Sequence, residues 1–93
     1  MIHSFSCKET ERIWDGEASL KFPFAIQQTA KRKLVIVDAA ISINDLRVPP
    51  GNRLEKLKGN LHEYYSLRIN NQWRIVFKWR KGHVYEVAIR DYH

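Results

Sequence analysis

Residues 64–93, YYSLRINNQWRIVFKWRKGHVYEVAIRDYH, decide the fold because apolar and polar side chains alternate there in three short runs. A period of two indicates strands that bury one face. Since only a few residues separate the runs, we predict three consecutive antiparallel strands with one face packed on the rest of the chain. The residues predicted to face the core are Tyr65, Leu67 and Ile69 in the first strand, Trp73, Ile75, Phe77 and Trp79 in the second, and Tyr85, Val87 and Ile89 in the third.

The register of these strands follows if the odd-numbered residues stay together on the core face. That condition predicts a three-residue loop, Arg80-Lys81-Gly82, with Gly82 in the left-handed conformation. It also places Arg74 opposite Ser66 on one side and Ala88 on the other. The even-numbered face is then expected to be open and basic, and it carries Arg68, Arg74, Lys78, Arg90 and Tyr92.

The N-terminal half is predicted to contribute a short strand and two helices. Residues 2–5 alternate as a strand, and residues 8–16 form a short helix that ends at Gly16. A longer helix with Pro23 in its first turn follows, and a basic loop around Pro49-Pro50-Gly51 connects it to the sheet. We therefore predict one domain over residues 1–93, of the α+β class, with two N-terminal helices packed on a small twisted antiparallel sheet. The apolar stripe of the long helix is Phe22, Ile26, Ala30, Leu34, Val37 and Ile41.

The net charge of +6 on 93 residues is the strongest signal in the composition. Such dense positive charge attracts polyanions, although an acidic protein partner would be attracted too. The single cysteine, Cys7, excludes an internal disulfide and fits a reducing compartment. No apolar run approaches the roughly 20 residues that a membrane-spanning helix needs. We therefore expect a cytoplasmic protein without a membrane partner.

The C-terminal residues Asp91-Tyr92-His93 combine a carboxyl group, a phenol and an imidazole, about one hairpin away from Arg74. Metal-free RNA cleavage needs a base for the 2′-hydroxyl, a cation for the phosphorane and an acid for the 5′-oxygen. Arg74 is the candidate cation, although it could equally be an ordinary cross-strand partner of Glu86. His93 is the candidate acid or base. Asp91 could orient it or act on the substrate directly, and Tyr92 could stack on a base or donate a hydrogen bond.

Strict alternation opposes this assembly. It sends Tyr92 to the face of Arg74, but it sends Asp91 and His93 to the core face. We therefore expect the last strand to twist, bulge or stop near Arg90 if all three residues serve one site.

The sequence predicts neither a metal nor a cofactor. His3, His62 and His83 lack the spacing of metal ligands. No glycine-rich phosphate loop, nucleophile elbow or paired-cysteine motif occurs.

Four segments together resemble the HigB-type toxins of the RelE superfamily, which belong to bacterial toxin–antitoxin modules. The segments are LRVPPGNRL (46–54), LKG (57–59), INNQWRI (69–75) and DYH (91–93). The resemblance covers essentially the whole chain and includes the order of the elements. It implies a RelE-like, microbial-ribonuclease-like fold and a toxin that enters the ribosomal A site and cuts mRNA there.

The resemblance also implies roles for individual residues. Carried over by position, Arg74 holds the scissile phosphate, and Lys58 is a second cation near the reaction centre. The tail residues Asp91, Tyr92 and His93 are catalytic or position the substrate. With the basic loop and sheet face included, the predicted RNA- and ribosome-binding residues are Arg47, Arg53, Lys56, Arg68, Lys78 and Arg90.

The implied partners are mRNA and 16S rRNA in the A site, and an antitoxin with a helix-turn-helix domain of the HigA type. Operator DNA would be bound only through the antitoxin. We expect attack by the neighbouring 2′-hydroxyl without a metal, which gives a 2′,3′-cyclic phosphate.

Glu55 departs from the family pattern, because some members carry a histidine at this position. We interpret Glu55 as a surface salt-bridge residue rather than as a substitute base, which leaves the general base unassigned. Three alternatives stay open: a ParE-like poison of DNA gyrase, a non-catalytic RNA- or DNA-binding module that uses the basic sheet face, and a weakened toxin retained for its partner.

Overall fold

A computed structural model describes residues 1–91, so the predictions for Tyr92 and His93 lie outside the described residues. The four strands form one antiparallel sheet in the order β1-β2-β3-β4. The predicted α+β class, with two N-terminal helices and an antiparallel sheet, is confirmed. The elements are α1 (Lys8–Trp14), α2 (Phe24–Ala39), β1 (Glu55–Lys56), β2 (Tyr64–Arg68), β3 (Trp73–Arg80) and β4 (His83–Asp91), with 3-10 helices at Ile43–Arg47, Pro50–Asn52 and Gly59–Leu61.

The long helix buries most of the predicted stripe. Ala30, Leu34 and Val37 are fully buried, and they pack into one core with the inward side chains of the sheet. Ile41 was predicted to join them, and that prediction is wrong because 86% of it is exposed. The helix ends at Ala39 and Ala40 is already extended, so the helical period no longer applies at residue 41.

The N-terminal segment lies along β4 without forming a regular strand. Ile2 and Phe5 make isolated parallel bridges to Val84 and Val87, where a continuous strand was predicted over residues 2–5. The backbone N–H of Ile2 also donates to Asp38 Oδ1 at 2.8 Å. The segment therefore links the outer edge of the sheet to α2.

The hairpin between β3 and β4 has two loop residues, and the prediction of three was wrong. Arg80 pairs directly with His83, and the loop residues Lys81 and Gly82 have φ angles of 48° and 82°. Two consecutive left-handed residues match the twist of antiparallel strands. Such a loop pairs odd with even residues, as in Trp79 with Val84.

A β-bulge in β4 restores the predicted pairing of odd- with odd-numbered residues. Between the pairs Val76–Ala88 and Lys78–Tyr85, two residues of β4 face the single residue Phe77, and the extra residue is Glu86, with φ 54°. The alternation therefore breaks at Glu86.

Tyr85 was predicted to face the core, and that prediction is wrong because the bulge turns it outward. Its ring stacks on His3 at a centroid distance of 5.0 Å, whereas Val84 is fully buried.

Candidate active site

Three arginines stand side by side near one end of the sheet, where β2 and β4 end and β3 begins. Arg68 of β2 pairs with Arg74 of β3, and Arg74 pairs with Arg90 of β4. The prediction that Arg74 faces Ser66 and Ala88 was wrong by two residues on each side, because the turn between β2 and β3 lies further along the chain than assumed and because the two-residue loop and the bulge shift β4. Like charges directly opposite one another destabilise a sheet, and a bound anion would relieve the repulsion. The arginine row, as we call these three residues, is the candidate phosphate site.

Arg74 lies at the centre of the arginine row and is only 5% exposed. Its Nη2 donates to the backbone carbonyl oxygens of Arg53 and, at 3.2 Å, of Ser66. Its Nη1 lies 3.8 Å from Glu55 Oε1. The sheet face was predicted to be open here, and that prediction is wrong because the chain before β1 covers the guanidinium. The contacts hold the guanidinium in one orientation.

The covering segment is held in turn by Asn52, whose side chain is fully buried. The Nδ2 of Asn52 donates to the carbonyl oxygens of Leu46 at 3.3 Å and Val48 at 3.2 Å, and its Oδ1 accepts from Lys33 Nζ at 2.7 Å. A buried amide with this many partners stabilises one loop conformation. The contacts of Asn52 therefore hold the loop that places the Arg53 carbonyl against Arg74.

Glu55 is the acidic residue of the candidate site. Strand β1 pairs Glu55 with Ser66. Glu55 therefore lies next to a position two residues before Arg68, on the same face of the sheet as the arginine row. The predicted salt bridge of Glu55 is present, and its partner is the nearly buried Arg74. Its side chain remains 49% exposed, so the carboxylate can also reach a bound ligand. Sequence reasoning missed this pairing because no local pattern marks a strand of two residues.

Glu86, the other carboxylate considered for Arg74, is not its cross-strand neighbour, because that position belongs to Arg90. Glu86 lies at the bulge. Its Oε2 accepts from the Tyr64 hydroxyl at 2.9 Å and lies 3.9 Å from Lys78 Nζ.

Asp91 does not join the face of Arg74 in the described part of the chain. It pairs with Trp73, in the cross-strand pair next to Arg74 and Arg90, so its side chain belongs to the opposite face of the sheet. Its Oδ2 accepts from Gln72 Nε2 at 3.2 Å. The break in alternation that we expected near Arg90 is absent from the described residues, because pairing is regular from Ala88 to Asp91. The predicted catalytic residues Tyr92 and His93 follow Asp91 and lie outside the described residues.

The remaining predicted cations differ in how accessible they are. Lys78 is only 19% exposed and lies 3.1 Å from Glu63, so carboxylates largely neutralise it. Arg47 donates from its Nε to Asn44 Oδ1 at 3.0 Å. Arg68 is half-buried and donates to Asn71. The exposed members of the set are Arg47, Arg53, Lys56, Lys58 and Arg90.

Two further observations bear on cofactors and membranes. Within residues 1–91, no group of three or more histidine, cysteine, aspartate or glutamate side chains is arranged to hold a metal ion. Within the same range, no helix is both long and apolar enough to cross a membrane.

Comparison with known proteins agrees with this architecture. The model of the family described as the RelE-like toxin of type II toxin–antitoxin system HigB matches residues 3–93. Toxin HigB-1 of Vibrio cholerae is 40% identical over 93 residues, which cover 99% of this chain and 94% of that protein. Endoribonuclease HigB of Proteus vulgaris is 28% identical over the full length of both chains.

Solved structures of toxin–antitoxin complexes share the fold. In the heterotetrameric YoeB–YefM toxin–antitoxin complex from Staphylococcus aureus, the matching chain has a TM-score of 0.62 and 26% identity. The match covers 100% of this chain and 98% of that one.

Proposed function

The chain belongs to the HigB-like family, the RelE-like toxins of type II toxin–antitoxin systems, and from this premise we propose that it is a ribosome-dependent endoribonuclease that cuts mRNA in the A site. A relative that matches over its full length is named an endoribonuclease, which supports the reaction class. The arginine row is the observation that carries the proposal, because three opposed cations form a site for a phosphate of RNA.

The proposed reaction needs no metal. A base removes the proton of the 2′-hydroxyl, the oxygen attacks the neighbouring phosphorus, and the 5′-oxygen leaves with a proton from an acid. The products are a 2′,3′-cyclic phosphate and a 5′-hydroxyl. Arg74 stabilises the charge of the phosphorane, and its fixed guanidinium needs little reorganisation during the reaction.

We assign the remaining roles from placement and from the family. Although the sequence favoured a salt-bridge role alone, we propose Glu55 as the base, because it is a half-exposed carboxylate that contacts Arg74. His93 is the proposed acid, with Tyr92 as a stacking or hydrogen-bonding group and Asp91 and Lys58 as positioning groups. In the broader binding surface, Arg68 and Arg90 contact the RNA backbone, and the exposed Arg47, Arg53 and Lys56 contact rRNA. Lys78 contributes less because carboxylates surround it.

The proposed partners follow from the family. Similar chains occur in toxin–antitoxin complexes, which supports an antitoxin partner for this chain. We propose an antitoxin of the helix-turn-helix type, through which the pair would bind operator DNA. The working compartment is the cytoplasm, where mRNA and 16S rRNA meet in the A site.

Cleavage of mRNA on programmed ribosomes tests the proposal. The purified protein should cut a 5′-labelled mRNA within the A-site codon and leave a 2′,3′-cyclic phosphate. A single 2′-deoxy substitution at the cut nucleotide should abolish cleavage, because the attacking hydroxyl is gone. A phosphorothioate at the same linkage should be cut equally with and without added Mn²⁺, since no metal contacts the phosphate.

Three outcomes would contradict the proposal. Intact mRNA in the A site would exclude the activity, and cleavage of the deoxy substrate would exclude attack by the 2′-hydroxyl. Growth arrest with a DNA-damage response and intact mRNA would instead indicate a gyrase poison.

A further inference from the structure

A depression of about 370 Å³ lies on the sheet beside the arginine row, and none of the roles assigned above uses it. Its size falls within the range of small-molecule sites. Val76 and Ala88, which pair across β3 and β4, have short side chains and leave this space open. Arg90 connects the depression to the arginine row. The lining residues are Ser6, Tyr64, Val76, Glu86, Ala88 and Arg90.

Glu86 is held firmly at the edge of this depression. Its backbone N–H donates to Ser4 Oγ at 2.9 Å, and its carbonyl oxygen accepts from Ser6 Oγ at 3.1 Å. Its φ of 54° is costly for a residue with a side chain, and such conformations cluster at functional sites. The bulge and its two serine contacts thus fix the position of a carboxylate at the edge of the depression.

One oxygen of this carboxylate is anchored and the other is available. Oε2 accepts from the Tyr64 hydroxyl and lies near Lys78 Nζ. The hydrogen bond to Glu86 is the main cause of a raised pKa of Tyr64, so the phenol keeps its proton and remains a donor. Oε1 has no hydrogen-bond partner among residues 1–91. A ligand in the depression therefore meets a positioned acceptor.

Apart from the guanidinium of Arg90, the side-chain polar atoms that line the depression are acceptors as well. The hydroxyl protons of Tyr64 and Ser6 are already donated to Glu86, which leaves only their lone pairs. A base edge with an exocyclic amino group would supply the missing donors, as adenine, cytosine and guanine do. Uracil presents one N–H between two carbonyl oxygens, and a carbonyl oxygen placed against Glu86 Oε1 would meet another acceptor.

We propose that this depression binds one nucleobase of the substrate RNA and selects bases with an exocyclic amino group over uracil, with Glu86 Oε1 as the discriminating acceptor. The proposal rests on the proposed function, because it names a subsite for the same RNA. A phosphate on the arginine row and a base in the depression would be neighbours, since Arg90 belongs to both.

Nucleotide binding by the free protein tests the subsite without catalysis. Isotope-labelled full-length protein is titrated with AMP, CMP, GMP or UMP and followed by NMR. The amide signals of Val76, Glu86 and Ala88 should shift, and the three amino-bearing nucleotides should bind about fivefold or more tightly than UMP. Glu86→Gln should remove this difference, because an amide both donates and accepts.

Glu63→Gln is the matched control. Glu63 also pairs with Lys78, and the substitution changes the charge equally, but Glu63 does not line the depression. It should keep the preference of the wild-type protein. Equal binding of all four nucleotides to the wild-type protein, or an unchanged preference in Glu86→Gln, would overturn the proposal and leave Tyr64, Glu86 and Lys78 as a structural network.

Cleavage mapping separates this proposal from the proposed function. A library of A-site codons on programmed ribosomes should show uracil disfavoured at one position by the wild-type protein and tolerated there by Glu86→Gln. If the wild-type protein cuts but Glu86→Gln keeps its codon pattern, the subsite is refuted and the nuclease stands. If the wild-type protein cuts nothing, the nuclease is refuted and the nucleotide titration still decides the subsite.

Discussion

Replacing Arg74 by alanine should destabilise the fold and slow RNA cleavage for separable reasons. The side chain is nearly buried, and its loss leaves the carbonyl oxygens of Arg53 and Ser66 without this donor. Unsatisfied buried groups cost about 1–3 kcal/mol each. Relief of repulsion from the two flanking arginines offsets about 0.2–1 kcal/mol per pair. With two such groups and two such pairs, we expect a net loss centred on about 3 kcal/mol in the free energy of unfolding.

Arg74→Ala should slow catalysis in addition to its effect on folding. Removing one preorganised donor to an oxyanion typically costs about 10²–10³-fold in rate. Urea unfolding measures the stability, and single-turnover mRNA cleavage on ribosomes measures the rate at a temperature where the variant is folded. Arg74→Lys should fall between alanine and the wild-type protein, because lysine keeps the charge but loses the fork of donors.

Arg80→Ala is the matched control for this experiment. Arg80 lies at the other end of the same strand, is exposed and pairs with Glu63 at 3.2 Å. Its loss should change the unfolding free energy by less than about 0.5–1 kcal/mol and leave the cleavage rate nearly unchanged. A folded Arg74→Ala protein that cuts within about threefold of the wild-type rate, where about 10²-fold is expected, would refute the proposed role of Arg74. Equal losses in both variants would show that only total charge matters.

Four further predictions follow from the same contacts. Arg90→Gln should raise the unfolding free energy by about 0.2–1 kcal/mol at low salt, because it removes a like-charge pair. The same substitution should weaken RNA binding and lower the number of ions released on binding, measured from the salt dependence of the affinity, by about one. Glu55→Gln should lower the cleavage rate by about 10²-fold or more, and a rate within about threefold of the wild-type rate would exclude Glu55 as the base. Leu34→Ala should cost about 2.7–5 kcal/mol in urea unfolding, since Leu34 is fully buried, whereas Val35→Ala on the exposed side of the same helix should stay within about 0.5 kcal/mol. Backbone N–H donors hold the pKa of Asp45 below its ordinary value of 3.8, so its stabilising effect is present above that pH and is lost as the pH falls through the lowered pKa; the difference in urea midpoint between wild type and Asp45→Asn should accordingly vanish in strong acid.

The sequence predicted the elements well, because burial leaves a local periodic trace. The spacing of Ala30, Leu34 and Val37 marks a helix, and the alternation around Ile75 and Phe77 marks strands. Those patterns depend only on neighbours a few residues away. The α+β class and the two helices over an antiparallel sheet followed from them.

The pairing of the strands was harder to predict, because one residue more or less in a loop changes every partner. Lys81 adopts a left-handed conformation that glycine and asparagine favour, so a two-residue loop had no clear signal. The bulge at Glu86 then compensates for that loop within the same strand. Tyr85 and Val84 exchange faces as a result, which no reading of alternation alone could detect.

The sequence by itself determined the class of fold, the positions of the helices and strands, and the resemblance to a toxin family. Only the tertiary structure decided which charged groups meet. It aligned Arg74 with two other arginines, covered it with the Arg53 carbonyl and placed Glu55 beside it. The physical reason is the distance along the chain over which each feature is determined. Periodicity reflects the solvent exposure of residues a few positions apart, whereas these contacts depend on loop lengths and strand order, which the packing of the whole chain sets.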